Sequence, residues 1–91
     1  MARPVSSDDV FRAIADRTRR RIIELLAERP PSPSELSAEF DSCQSTISEH
    51  LGILRRSGLA RFEETAGRRV YHVNLPALDE VAAWIGVLRR G

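Results

Sequence analysis

Gln44, Ser45, Thr46, Ser48 and Glu49 crowd a short stretch of chain with side chains suited to one kind of chemistry, hydrogen bonding to the edges of bases. An amide pairs with adenine, a carboxylate accepts from the cytosine amino group, and hydroxyls serve several partners. A solvated helix face usually carries long Glu, Lys and Arg, whereas short polar groups allow close approach to a base edge or a phosphate. Plain solvation of an amphipathic helix is the competing account. Other chemistries have less to stand on. Cys43, His50 and His72 lack a metal-ligand spacing. No glycine-rich phosphate loop or nucleophile elbow accompanies the two histidines, so an enzyme is not expected. Cys43 has two readings, a reactive thiol near a helix N-terminus or a small residue filling a cap. His50 either touches a phosphate or completes the boundary of its helix.

These side chains need a helix to present them, and the flanking residues supply its punctuation. Ser32, Pro33 and Glu35 form a capping-box pattern ahead of Leu36 and Phe40, which predicts a helix over Pro33–Phe40. Asp41, Ser42 and Cys43 favour a turn and a new N-cap. A second helix then starts near Cys43 or Gln44, with Ile47, Leu51 and Leu54 on its core side and Gly58 at its end, preceded by Arg55 and Arg56 where cations suit the helix dipole. Two short helices around a tight turn make a helix-turn-helix. Leu59–Glu64 and Arg68–Asn74 follow as β-prone runs around Thr65-Ala66-Gly67, a hairpin whose Arg68 and Arg69 either reach DNA phosphates and the minor groove or are simply solvated.

Upstream, Val10, Phe11 and Ile14 make a short apolar face, and Asp16 is placed to cap a helix whose core residues are Ile22, Ile23, Leu25 and Leu26. Arg17, Arg19, Arg20 and Arg21 crowd its first turns against the helix dipole, which suggests either phosphate contact or pairing with Asp8, Asp9 and Asp16. Downstream, Asn74 and Pro76 read as a helix start. Leu78, Val81, Ile85 and Leu88 then share one seam with Trp84 beside it. A chain of this size buries only about 60–65% of its unfolded surface. Such an apolar terminal helix therefore suits a partner subunit, with packing back onto the monomer as the alternative.

The 91 residues have room for one domain, 1–91, and none for a separate sensor. Hydrophobic content of 42% and charged content of 30% are those of a soluble globular protein, and no apolar run is long enough for a membrane span. No signal-peptide pattern precedes Val5, so a cytoplasmic location is expected. The single cysteine fits a reducing compartment. Net charge is only +1, but the 14 basic residues are all arginines, and 11 of them fall at 17–21, 55–56, 61, 68–69 and 89–90. Only the first six or seven residues and Gly91 look loose.

The runs VFRAIADRTRRRIIELL, ELSAEFDSCQSTISEHLGILRRSGLA and GRRVYHVN together resemble the ArsR/SmtB family of bacterial winged-helix repressors over nearly the whole chain. Arg17 departs from the pattern, since the family usually has proline there. The resemblance implies a mainly α winged helix-turn-helix of about five helices with a two-stranded wing, dimerising through its first and last helices on a palindromic operator. Its recognition helix would span about 43–57 and its wing about 60–74. On that pattern Gln44, Ser45, Thr46, Ser48 and Glu49 read bases; His50, Arg55, Arg56, Arg68 and Arg69 hold the DNA backbone; and Val10, Phe11, Ile14, Leu78, Val81, Trp84, Ile85 and Leu88 form the dimer interface. Relatives that sense arsenic or cadmium carry a Cys-x-Cys pair where this chain has Ser32-Pro33-Ser34. Zinc sensors carry Asp, His and Glu on the last helix, where only Asp79 and Glu80 are candidates. No metal and no other cofactor is therefore expected. A winged helix that recruits a protein instead of DNA is the alternative.

Overall fold

The fold depends on how each helix is closed at its ends. The computed structural model describes residues 7–91 and runs α1 (Ser7–Ala13), α2 (Arg17–Glu28), α3 (Pro33–Phe40), α4 (Gln44–Arg56), β1 (Ala60–Thr65), β2 (Arg68–Val73), a 3-10 turn (Leu75–Leu78) and α5 (Asp79–Arg90). The expected loose start of the chain lies outside the described residues. Asp16 caps α2 as expected, its carboxylate accepting the Arg19 N–H at 3.0 Å.

The arginines at the start of α2 take a role that neither sequence reading anticipated. Arg19 donates through Nε to the Ala13 carbonyl at 2.7 Å and through Nη2 to the Arg12 carbonyl at 3.2 Å. Arg20 donates to the Ile14 carbonyl at 2.8 Å. Two guanidiniums of α2 thus donate to carbonyls at and just past the end of α1, where the Arg12 carbonyl also accepts the Ala15 N–H at 3.2 Å, and this offsets their poor position on the α2 dipole. Of the expected acidic pairings, Asp16 lies 3.9 Å from Arg19. Arg21 pairs with Glu24 at 3.0 Å and with Glu39 at 3.8 Å.

At α3 the capping box is complete: Ser32 Oγ accepts the Glu35 N–H at 3.2 Å, and the Glu35 carboxylate accepts the Ser32 N–H at 3.3 Å. Asp41 then turns left-handed at φ 51°. The Ser42 N–H reaches the Ser37 carbonyl at 3.2 Å, so the helix ends in a tight reversal. After α4, Gly58 at φ 84° plays the same part. The Gly58 N–H bonds Arg55 O at 3.0 Å and the Leu59 N–H bonds Leu54 O at 2.9 Å, the paired bonds of a Schellman ending.

β1 and β2 pair antiparallel from Ala60 opposite Val73 to Thr65 opposite Arg68. Ala66 and Gly67 alone connect them, both at positive φ, as tight two-residue hairpins require. Asn74 holds the N-cap position of the 3-10 turn, its carbonyl accepting the Ala77 N–H at 3.0 Å, but its side chain makes no capping bond. Its side-chain amide donates to the Gly58 carbonyl at 2.9 Å and its N–H to the Leu59 carbonyl at 2.8 Å, clasping the base of the hairpin to the end of α4. Pro76 therefore opens only the 3-10 turn.

Ile22 and Leu26 of α2, Leu36 of α3, Ile47, Leu51 and Leu54 of α4, and Leu59, Ala60 and Tyr71 of the hairpin form the core. Ile23 and Leu25, expected inside, are half-buried at its edge. Val10 belongs to this core too, at 4% exposed, together with Ala13. That corrects the assignment of Val10 to a dimer interface: so buried a side chain has almost no surface to offer a partner.

The Arg19 N–H bond, helped by the Arg19 charge and partly opposed by burial, holds the Asp16 carboxyl below its ordinary 3.8. A folded-state pKa below the unfolded one means stability that is complete above about pH 4 and lost as the pH falls through the folded value. Asp16→Ala is expected to cost about 1 kcal/mol in urea melts near neutral pH, with the difference shrinking in acid, while Asp16→Asn keeps most of the cap.

Candidate nucleic-acid interface

With Ile47, Leu51 and Leu54 turned inward, helical geometry puts Ser45, Glu49, Gly52 and Arg56 on the opposite side of α4. Ser45, Thr46, Ser48, Glu49 and Arg56 are all exposed. Gln44 and Ser48 lie on one flank, and Thr46 and His50 on the other. The flanks differ in what they meet. Gln44 donates from its amide to Ser34 Oγ of α3 at 2.9 Å, so Ser34, in the place where metal-sensing relatives carry a cysteine, anchors a base-reading candidate. His50 is half-buried and turns toward α2, with Nδ1 3.5 Å from Arg19 Nη1. Its surroundings favour the boundary reading over phosphate contact.

Gly52 is unusual inside a helix, where glycine costs about 1 kcal/mol relative to alanine. Arg56 explains the site locally: a Cβ at Gly52 would stand 3.1 Å from Arg56 Nη1. The guanidinium therefore folds back toward the helix N-terminus over the bare backbone, on the outward face. Arg55 leaves in another direction and lies over the Phe62 ring at 5.3 Å, and Arg69 lies over the same ring at 4.5 Å. Phe62 itself rests 5.5 Å from Tyr71. One aromatic ring thus ties the end of α4 to the wing and gathers two cations beside it. Sequence reading passed over Phe62, although its period-two spacing from Ala60 was available as a signal. Arg69 Nε also lies 3.6 Å from Glu64. Arg68 is exposed at the hairpin end, its guanidinium has no ion pair or hydrogen bond among the described residues, and it is the wing arginine most free to meet a phosphate.

Cys43 occupies the N-cap of α4, exposed, with Sγ 3.1 Å from both Ser45 Oγ and Thr46 Oγ1. The Ser45 hydroxyl first, then that of Thr46, lowers its thiol from 9.0 to about 7. His72 stands in the hairpin, 3.9 Å from Glu63. Among the described residues no three His, Cys, Asp or Glu side chains gather as metal ligands do.

The residues expected at a dimer interface separate into layers. Ile14, Leu78 and Val81 pack against the core, while Trp84, Ile85 and Leu88 are 53%, 43% and 60% exposed. Phe11 of α1 meets Trp84 edge-on at 5.8 Å, which joins the first and last helices in one surface. Leu75 and Val87 are exposed too, at 56% and 55%, and were missed because they lie off the Leu78–Leu88 seam. None of the described helices is long and apolar enough to cross a membrane.

A polar-faced second helix of a helix-turn-helix, gripped at one end by an arginine-bearing hairpin, defines a winged helix-turn-helix DNA-binding protein. Residues 16–61 match the model for "Bacterial regulatory protein, arsR family", and the chain belongs to that family. Among relatives, the transcriptional activator HlyU of Vibrio cholerae is 33% identical over 81 residues, covering 89% of this chain and 72% of HlyU. The transcriptional repressor SdpR of Bacillus subtilis is 28% identical over 78 residues, covering 86% of this chain and 87% of SdpR. The crystal structure of the ArsR family regulator RHA00566 superposes with a TM-score of 0.82 at 27% identity, over 99% of this chain and 94% of that one. The solution structure of the homodimeric winged helix-turn-helix domain of Mycobacterium bovis Mb0332 shares the fold at a TM-score of 0.73 and 21% identity, over 91% of this chain and 77% of that one. The protein is a DNA-binding transcriptional regulator.

Gly52→Ala separates stability from recognition. Better helix propensity should raise stability by up to about 1 kcal/mol in thermal melts. The added methyl displaces Arg56, so DNA affinity measured on the same sample should fall.

Proposed function

We propose that this regulator is a homodimeric, metal-independent repressor, a single domain over 1–91, that acts in the cytoplasm by occupying a palindromic operator. The observation that carries the reading is the outward face of α4, polar and exposed directly opposite its buried Ile47, Leu51 and Leu54 stripe. Ser45, Thr46, Ser48 and Glu49 present hydroxyls and a carboxylate to the major groove, with Gln44 available once it exchanges Ser34 for a base. Arg55, Arg56, Arg68 and Arg69 supply cations at the end of the helix and along the wing. Two copies joined through the α1–α5 surface would set recognition helices about 34–36 Å apart for successive major grooves. The apolar residues left exposed there, Trp84, Ile85, Val87 and Leu88, support that pairing, as does the homodimeric state of the Mb0332 domain. A domain of this size represses by occupancy alone. Repression is the activity named for SdpR and activation the one named for HlyU; a promoter fusion decides the sign for this chain. Serines at 32 and 34, both engaged in hydrogen bonds within the fold, support independence from metal.

Selection of genomic fragments by the purified protein, followed by titration in a gel shift, tests the reading. Glu49→Ala should relax preference at one base pair by about 1–3 kcal/mol, whereas Arg68→Ala should weaken all sequences alike and lower the salt slope by about 1. Identical effects of the two variants would remove the distinction between base reading and backbone anchoring, and failure to bind any fragment at low salt would favour a protein-recruiting module. In sedimentation, Leu88→Glu should convert a dimer into a monomer with weakened operator binding; a wild type that is already monomeric when bound to its operator overturns the dimer.

A further inference from the structure

Arg17, Arg20 and Arg21, spaced three and four residues apart, line one side of an open cleft of about 510 Å³ between the first turns of α2 and the end of α3, with Thr18, Glu24 and Phe40 completing its wall. Three guanidiniums face a single carboxylate in that lining. Two of them have duties inside the chain: Arg20 donates to the Ile14 carbonyl, and Arg21 pairs with Glu24 and Glu39. Arg17 is exposed, and its guanidinium makes no hydrogen bond or ion pair among the described residues. The apolar face of α2, Ile22 and Leu26, points into the core and leaves this charged face to solvent. Mutual repulsion and the α2 dipole both act against such a cluster, so the fold itself gains little from Arg17.

Resting on the DNA-binding reading above, we propose that this cleft seats a backbone phosphate of the operator, beside the groove that α4 enters. Its position carries the assignment. Phe40 ends α3, and Asp41-Ser42-Cys43 lead from it straight into α4. The wing holds the end of α4 through Arg55 and Phe62, and α3 holds the Gln44 flank through Ser34. The arginine cleft opens beside the end of α3, one three-residue turn ahead of α4, where a sugar-phosphate strand bordering an occupied major groove would pass. A guanidinium suits that strand because its planar fork meets two phosphate oxygens at once. The open shape and the lack of a buried donor fit a strand passing by better than a small enclosed anion.

Arg17 is the residue to change, because no contact within the fold depends on it. The probe is a duplex taken from a fragment that the wild type selects, made as a series in which single phosphates are replaced by neutral methylphosphonates. Arg17→Gln and Arg17→Glu should melt like the wild type. Arg17→Gln should lower affinity several-fold with unchanged base preference and reduce the salt slope by about 1. Arg17→Glu should lose at least about tenfold, and Arg17→Lys should recover most of the affinity. One phosphate in each half-site should weaken the wild type when neutralised and leave Arg17→Gln unaffected, the non-additivity expected of two groups in contact. Arg17 variants that bind the unmodified duplex like the wild type overturn the inference and leave the α4 reading intact. Saturable binding of inorganic pyrophosphate that Arg17→Glu abolishes, with unchanged DNA affinity, overturns it in favour of a small-anion site. A wild type that selects no fragment overturns both readings.

Discussion

Everything the protein presents to DNA depends on the burial of Ile47, Leu51 and Leu54, which fixes the rotation of α4 about its own axis. All three are almost completely removed from water against Ile22, Leu26, Leu36 and Leu59. Truncating such side chains to alanine typically costs about 2–5 kcal/mol, far more than any exposed ion pair contributes. A helix of α4's length has little independent stability in water, so tertiary packing holds it in place. Its outward side is then free to carry serines, threonine, glutamate and glycine, residues chosen with little regard for stability. The polar face points outward because the apolar face has no other orientation available.

Two backbone reversals turn that one helix into a reading head. Asp41 and Gly58, both left-handed, bring the chain into α4 from α3 and out of it into β1 within a few residues. The paired terminal hydrogen bonds at each reversal leave little slack, and Asn74 closes the far side of the loop on the Gly58 carbonyl. Phe62 then couples hairpin and helix through two arginine stacks. Rigid placement of several donors on different elements is what lets base contacts and backbone contacts act in register. Cys43 sits at the entry to this head with its thiol lowered to about 7 by two hydroxyls, so a substantial share is thiolate near neutral pH.

Much of the fold was legible because its signals are local. The capping box at Ser32 and Glu35, the cap at Asp16, the three-and-four spacing of Ile47, Leu51 and Leu54, and the stop at Gly58 each report on a few neighbouring residues, and each stands as read. Distant contacts were not legible. Arg19 and Arg20 read as phosphate contacts or partners of nearby aspartates, and only the arrival of α1 beside them shows that they donate to carbonyls at its end. Val10 looked like part of an open apolar face, and nothing near Asn74 announced that its amide would reach the Gly58 carbonyl. Phe62 drew no attention, and Ser34 drew it only as an absent metal ligand, because each matters through a partner on another element.

Sequence alone determined the helix ends, the turn residues, the inward stripe of α4 and the chemical character of its outward face, since caps and periodicity act over one or two turns of chain. Tertiary structure decided which arginines serve the fold and which remain available. Guanidiniums look alike along the chain, but Arg19 and Arg20 are committed to carbonyls of α1, Arg55 and Arg69 to one ring, and Arg56 to the space above Gly52. It also divided the apolar residues of α1 and α5 between the core and an exposed surface. Charge and hydrophobicity are written in composition, but the partner that satisfies each group is set by where distant segments meet.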